Sequence, residues 1–174
     1  MNKKLLLLAL TVTFFAPSVS HADIPQVQRY VANATEKGTA RLKYLMWNVY
    51  DATLYTPQGQ YKEDGPFALK LDYLINLKGD DIAVRSIKEI RAQGFDDETK
   101  LLKWEENMKN IFPDIESGES IIGIRDDNKN TVFYKNDTKI GQINDPDFTK
   151  VFFDIWLSPQ TSQPSMRQQL LGLK

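Results

Sequence analysis

Hydrophobic positions recur along this chain at two periods, and the points where the period changes mark the elements. After a short lead over 23–38, Leu42, Tyr44 and Met46 alternate with Arg41, Lys43 and Leu45, a period of two that predicts a strand. The alternation then blurs within the aromatic stretch from Arg41 to Tyr55, which predicts one long bent strand or two strands in sequence. Residues 57–65 read as a polar turn region. Phe67, Leu69, Leu71 and Tyr73 then alternate cleanly with Ala68, Lys70 and Asp72, as in a strand buried on one face.

The period lengthens after Gly79. Ala83, Ile87 and Ile90 form a helical stripe that Asp80 or Asp81 can cap and Gly94 can end. Leu101, Trp104, Met108 and Ile111 form a second stripe, capped by Asp96 or Asp97 and closed by Pro113. Strands return at Ile122 and Ile124, at residues 131–135 and at residues 139–143, separated by the polar turns 126–130 and Asn136-Asp137. Asp145-Pro146 opens a third helix whose face carries Phe148, Val151, Phe152, Ile155 and Trp156, and a short helix over 165–171 ends at Gly172. Strands, two helices, strands, then helices predict an α+β domain, with helices packed against an antiparallel sheet.

The N-terminus changes the picture. Lys3 and Lys4, the apolar run Leu5 to Phe15, Pro17 and the small residues around Ser20-His21-Ala22 have the three-part form of a secretory signal. The run is shorter than the roughly 20 residues a membrane span needs. Residues 1–22 are therefore expected to be removed after Ala22, leaving 23–174 as a single domain in the periplasm. The only histidine of the chain, His21, leaves with the signal, and the chain has no cysteine. The domain must hold together by packing, without disulfides. Acidic and basic residues are mixed along its length, so no basic tract suggests nucleic acid, and no second apolar segment is long enough to span a membrane.

Without His or Cys the domain cannot build a Ser-His-Asp triad, a Cys nucleophile or the usual zinc or copper site. It has no glycine-rich phosphate loop, and Asp126-Asp127-Asn128 lacks the spacing of a calcium loop, so neither cofactor nor metal is expected. The groups left for recognition are Arg41, a guanidinium at the start of the aromatic strand, Tyr44 and Tyr50 beside Trp47, and Arg85 on the first helix. Each has an ordinary structural alternative: a surface ion pair for Arg41, core packing for the tyrosines, a bridge to Glu89 for Arg85.

The segments 48–55 (Asn-Val-Tyr-Asp-Ala-Thr-Leu-Tyr), 67–71, 111–115, 133–136, 141–148, 152–157 and 170–173 occur in an order that resembles the exported bacterial branch of the chalcone isomerase-like family. The resemblance implies an antiparallel sheet with helices over one face and a ligand cleft between them. In that family, isomerases close a flavanone ring with an arginine, a threonine and a tyrosine, and non-catalytic members resemble fatty-acid binders. By the resemblance, Arg41 falls on the family arginine, Tyr50 on the first catalytic threonine, and Ile82 on the catalytic tyrosine. Glu89 falls near the family asparagine and Ile155 near the late hydroxyl position. Neither Ile82 nor Ile155 can donate to a developing oxyanion, an interaction worth roughly 3 kcal/mol per donor. The expectation is a domain without isomerase activity that binds a small amphiphile such as a fatty acid, through Arg41, Tyr44, Tyr50, Arg85 and Ile155. The alternatives are a structural or interaction protein whose cavity is filled, and an isomerase acting on another substrate.

Overall fold

The computed structural model describes residues 24–173; the expected signal peptide and its cleavage point lie outside the described residues. The chain runs α1 (Pro25–Gln28), β1 (Ala34–Tyr44), β2 (Trp47–Pro57), β3 (Phe67–Tyr73), α2 (Gly79–Ala92), α3 (Glu98–Ile111), β4 (Ser120–Arg125), β5 (Thr131–Lys135), β6 (Thr138–Ile143), α4 (Pro146–Leu157) and α5 (Pro164–Leu171). The six strands form one antiparallel meander in the order β1-β2-β3-β4-β5-β6. The fold is α+β with α2 to α5 on one face, as the change of period predicts.

The two-residue alternation sorts each strand between two cores. The row Phe67, Leu69, Leu71 and Tyr73 faces the helices, joined there by Ala52, Leu54, Ile121 and Phe133. Ala68, Ile122, Ile124, Val132 and Tyr134 turn to the opposite face, where Val27 and Val31 of the lead cover them. The lead is thus not a bare tether: α1 and the start of β1 lie within it. The stretch read as one bent strand or two is a hairpin, β1 turning into β2 through Leu45 and Met46 with Tyr44 opposite Trp47.

Two helix starts follow the sequence and one does not. Asp97 accepts from the Lys100 amide at 3.0 Å, and Asp145 accepts from the amides of Asp147 and Phe148. At α2, however, Asp80 and Asp81 sit in the first turn and cap nothing. The first-turn amide of Gly79 donates instead to Asp114, 35 residues away, at 3.1 Å. A Cβ at Gly79 would fall on the Phe112 carbonyl oxygen, so the absence of a side chain lets α2 begin directly against the end of α3. Gly38 plays the same part in β1, where a Cβ would meet the Gln169 carbonyl of α5.

Candidate functional site

Toward α3 and the start of α4, the space between sheet and helices is solid. Trp104, Phe133 and Phe148 are fully buried. Phe148 stacks on Phe152 at 5.2 Å between ring centres, and Phe133 meets Phe112 and Phe152 edge-on. The one polar atom of that group, Trp104 Nε1, donates to Asp145 Oδ2 at 2.9 Å.

Toward the β1–β2 hairpin the same two layers separate around a cavity of about 370 Å³. Its floor is the inward row of the sheet: Leu42, Tyr50, Leu71, Tyr73 and Ile121. Its roof is Ile82, Arg85, Ser86 and Glu89 of α2, with Phe152, Ile155 and Trp156 of α4. Three residues of this wall carry most of its chemistry. Trp156 Nε1 donates to Tyr50 Oη at 2.9 Å, which fixes the Tyr50 ring and leaves its own proton to give. Tyr73 packs edge-on against Tyr50 at 5.7 Å, and its hydroxyl has no hydrogen-bond partner among the described residues. Burial raises the Tyr50 hydroxyl to about 12, against a smaller opposing effect of the Trp156 bond. Burial drives the Tyr73 hydroxyl up further still. Both remain protonated donors over the physiological range.

Lys43, Asp81, Arg85 and Glu89 bring charge to the cavity wall, and Arg85 is the cation held in place by an ion pair. Its guanidinium pairs with Glu89 Oε1 at 2.5 Å, one helical turn on. The other Glu89 oxygen accepts from Ser162 Oγ at 2.7 Å. Glu89 is therefore held on both oxygens, while Arg85 remains half exposed with donors to spare.

Of the residues singled out by sequence, the structure brings Tyr44, Tyr50, Arg85 and Ile155 to the cavity. Arg41 is placed elsewhere. It lies on the opposite face of the sheet from Leu42, and its Nε and Nη2 hold both oxygens of Asp51 across the β1–β2 pair at 2.6 and 2.7 Å. That pair raises the Arg41 guanidinium and lowers the Asp51 carboxyl, each mainly through the hydrogen bond, and at Asp51 against an opposing effect of burial. A guanidinium on the wrong side of the sheet cannot reach the cavity without breaking this bidentate contact, because neighbouring positions of a strand point to opposite faces. Ile82 and Ile155 do line the cavity, so the positions without a heteroatom are real parts of its wall. Tyr73, Ser86 and Trp156 were not among the expected ligand contacts. For Tyr73 the signal was present: it is the one hydroxyl-bearing member of the inward row on β3.

Three comparisons bear on this geometry. A family model described as chalcone isomerase-like matches residues 27–172. An uncharacterised protein of Haemophilus influenzae is 29% identical over 137 residues, covering 78% of this chain and 66% of that protein. Among solved structures, a fatty-acid binding protein of Arabidopsis thaliana superposes with a TM-score of 0.64, at 12% identity, covering 80% of this chain and 87% of that one. At that identity the likeness speaks to the fold.

Proposed function

Because the chain belongs to the chalcone isomerase-like family, we propose that it binds a small single-chain amphiphile, such as a fatty acid, and does no chemistry on it. The observation that carries this reading is the cavity of about 370 Å³, apolar over most of its wall, with Tyr50, Tyr73 and Arg85 among its donors. The volume falls within the roughly 300–1,000 Å³ of small-molecule sites. An acyl chain would lie along Leu71, Ile121, Phe152 and Ile155. Burying about eight methylenes would contribute on the order of 6 kcal/mol before the cost of association. A carboxylate or other acceptor headgroup would take the two tyrosine hydroxyls and the free donors of Arg85. Glu89, held by Arg85 on one oxygen and by Ser162 on the other, orients the guanidinium so that its remaining N–H groups are left for the headgroup.

Two features of the same wall favour binding without turnover, although the tyrosine hydroxyls and Arg85 are themselves donors. Both hydroxyls are held protonated and are poor bases, and Ile82 and Ile155 offer no atom to a developing oxyanion. The fatty-acid binding named for the Arabidopsis protein of this fold agrees with the reading. We further propose that the domain works in the periplasm, with residues 1–22 removed.

Native mass spectrometry of the protein purified from its own compartment tests both parts. The expected spectrum has Asp23 as the first residue and one amphiphile per chain, lost in Arg85→Ala. A chain with Met1 retained would refute export. A wild-type protein that carries no such ligand and takes up no added fatty acid would refute the binding reading.

A further inference from the structure

The turn between β1 and β2 breaks the local rules of its own geometry. Two-residue hairpin turns favour Asn, Asp and Gly, because the backbone enters the left-handed region there. Leu45 occupies that region, with φ of 53°, and Met46 follows it. Neither residue recovers the cost by burial. Leu45 is 84% exposed and Met46 95%, and the flanking pair Tyr44 and Trp47 are 62% and 67% exposed. Four large apolar or aromatic side chains thus cap a convex end of the molecule, with half-exposed Leu74 beside them through its amide bond to the Val49 carbonyl. Local preference given up without packing in return is expected where a segment meets something outside the chain.

Two further observations specify the occupant. From Lys37 to Tyr50 the sequence contains no acidic residue, while Arg41 and Lys43 lie within it. Asp51 neutralises Arg41, and Lys43 makes no ion pair among the described residues, which leaves the tip apolar with an unmatched positive charge at its base. Lys43 and Tyr44 also line the cavity, so the tip and the cavity mouth are continuous. Trp and Tyr with a neighbouring lysine favour the boundary between headgroups and acyl chains, and anionic lipid matches the charge.

We propose that the Tyr44–Trp47 tip inserts shallowly into the surface of an anionic lipid bilayer. Docked in this way, the cavity opens onto the membrane from which an amphiphile can enter or leave without crossing water. The delivery role rests on the binding function proposed above; the docking itself does not.

The test is cosedimentation of the mature chain with vesicles of equal parts phosphatidylcholine and phosphatidylglycerol at low salt. It is repeated with phosphatidylcholine alone and with a Leu45→Asp/Met46→Asp variant. Asp is tolerated in the left-handed region and both sites are exposed, so the variant keeps its fold, as circular dichroism checks. The expected result is binding to the anionic vesicles that weakens with salt, quenching of Trp47 by brominated lipid, and at least a tenfold loss in the variant. Equal partition of wild type and variant, or no binding by either, would overturn the proposal. So would a concentration-dependent dimer that the variant abolishes without any vesicle binding, which would make a second copy the occupant. Fatty-acid titration without vesicles separates the two readings. A variant that binds fatty acid normally but no longer binds vesicles supports the docking. Tip-dependent vesicle binding by a protein that takes up no fatty acid leaves docking standing and removes the cavity reading.

Discussion

The two ends of the space between sheet and helices are built from similar residues to opposite effect. At the α3 end, Trp104, Phe133 and Phe148 interlock and the layers close. At the hairpin end, Tyr73 and Trp156 are buried and Tyr50 partly so, yet the three stand around about 370 Å³ of open space. The difference lies in the polar tips. Phenylalanine gains only by contact, so a cluster of rings collapses until it is full. The Tyr73 hydroxyl bonds no other described residue and stays accessible at the cavity wall, so it is free to donate to whatever enters. The solid end accounts for stability and the hollow end for recognition.

Substitutions on the two walls separate these roles. The largest effect is expected from Phe148→Ala, which empties a filled site and should cost about 3–5 kcal/mol in denaturant unfolding. Ile82→Ala, on the roof of the cavity, should cost much less, since part of that side chain already faces space. Equal costs for the two would break the distinction between solid and hollow. Tyr73→Phe is expected to leave stability unchanged or slightly raised, because it removes an unpaired polar atom. It should weaken fatty-acid affinity about tenfold, as measured by calorimetry, a hydrogen bond to a charged group being worth roughly 1.5–3 kcal/mol. A variant with unaltered affinity would place the headgroup away from Tyr73.

Asp145 belongs to the solid end and provides a smaller effect with a pH signature. Burial alone would raise its carboxyl, but the bonds from Trp104 Nε1 and from the Phe148 and Asp147 amides outweigh this and hold it below its ordinary value. A carboxyl lowered in the folded state adds stability above its unfolded value near 3.8, and the gain is lost as pH falls through the folded value. Asp145→Ala should therefore cost about 1 kcal/mol at neutral pH as a lost cap and flatten the acid limb of the stability curve. A profile as steep as that of wild type would assign the acid sensitivity to other carboxyls. Arg41→Ala should have the smallest effect of all: no change in ligand affinity, and little in stability, because exposed ion pairs contribute little. Loss of binding in this variant would restore Arg41 to the site.

That last contrast also shows where the sequence was legible. The position of Arg41 between Ala40 and Leu42, both on the helix side, already puts Arg41 on the face away from the inward row. The family resemblance placed it at the ligand, and the side-chain parity of the strand decides in favour of the alternation. The caps at Asp97 and Asp145 were legible because a helix start is a local device. The partner of Gly79 was not, since Asp114 reaches it through the packing of α2 on α3. Two strands were one reading of the stretch 41–55, but the turn between them was hidden because Leu45-Met46 carries no turn residue, and turn chemistry is the usual signal. The cavity was expected from the family resemblance and could not be read from the hydrophobic pattern itself. Tyr50, Tyr73 and Trp156 spell the same aromatic core as Phe133 and Phe148 until their hydroxyls and ring nitrogen are placed in three dimensions.

The most direct test of the hollow end is a calorimetric titration of a medium-chain fatty acid into wild type and into Ile155→Trp, which fills the cavity from α4. The account predicts saturable one-to-one binding by wild type, in the micromolar range, with a negative heat-capacity change from buried apolar surface. Ile155→Trp should show no detectable binding at an undiminished melting temperature. Equal binding by the two proteins, or none by wild type, would contradict it.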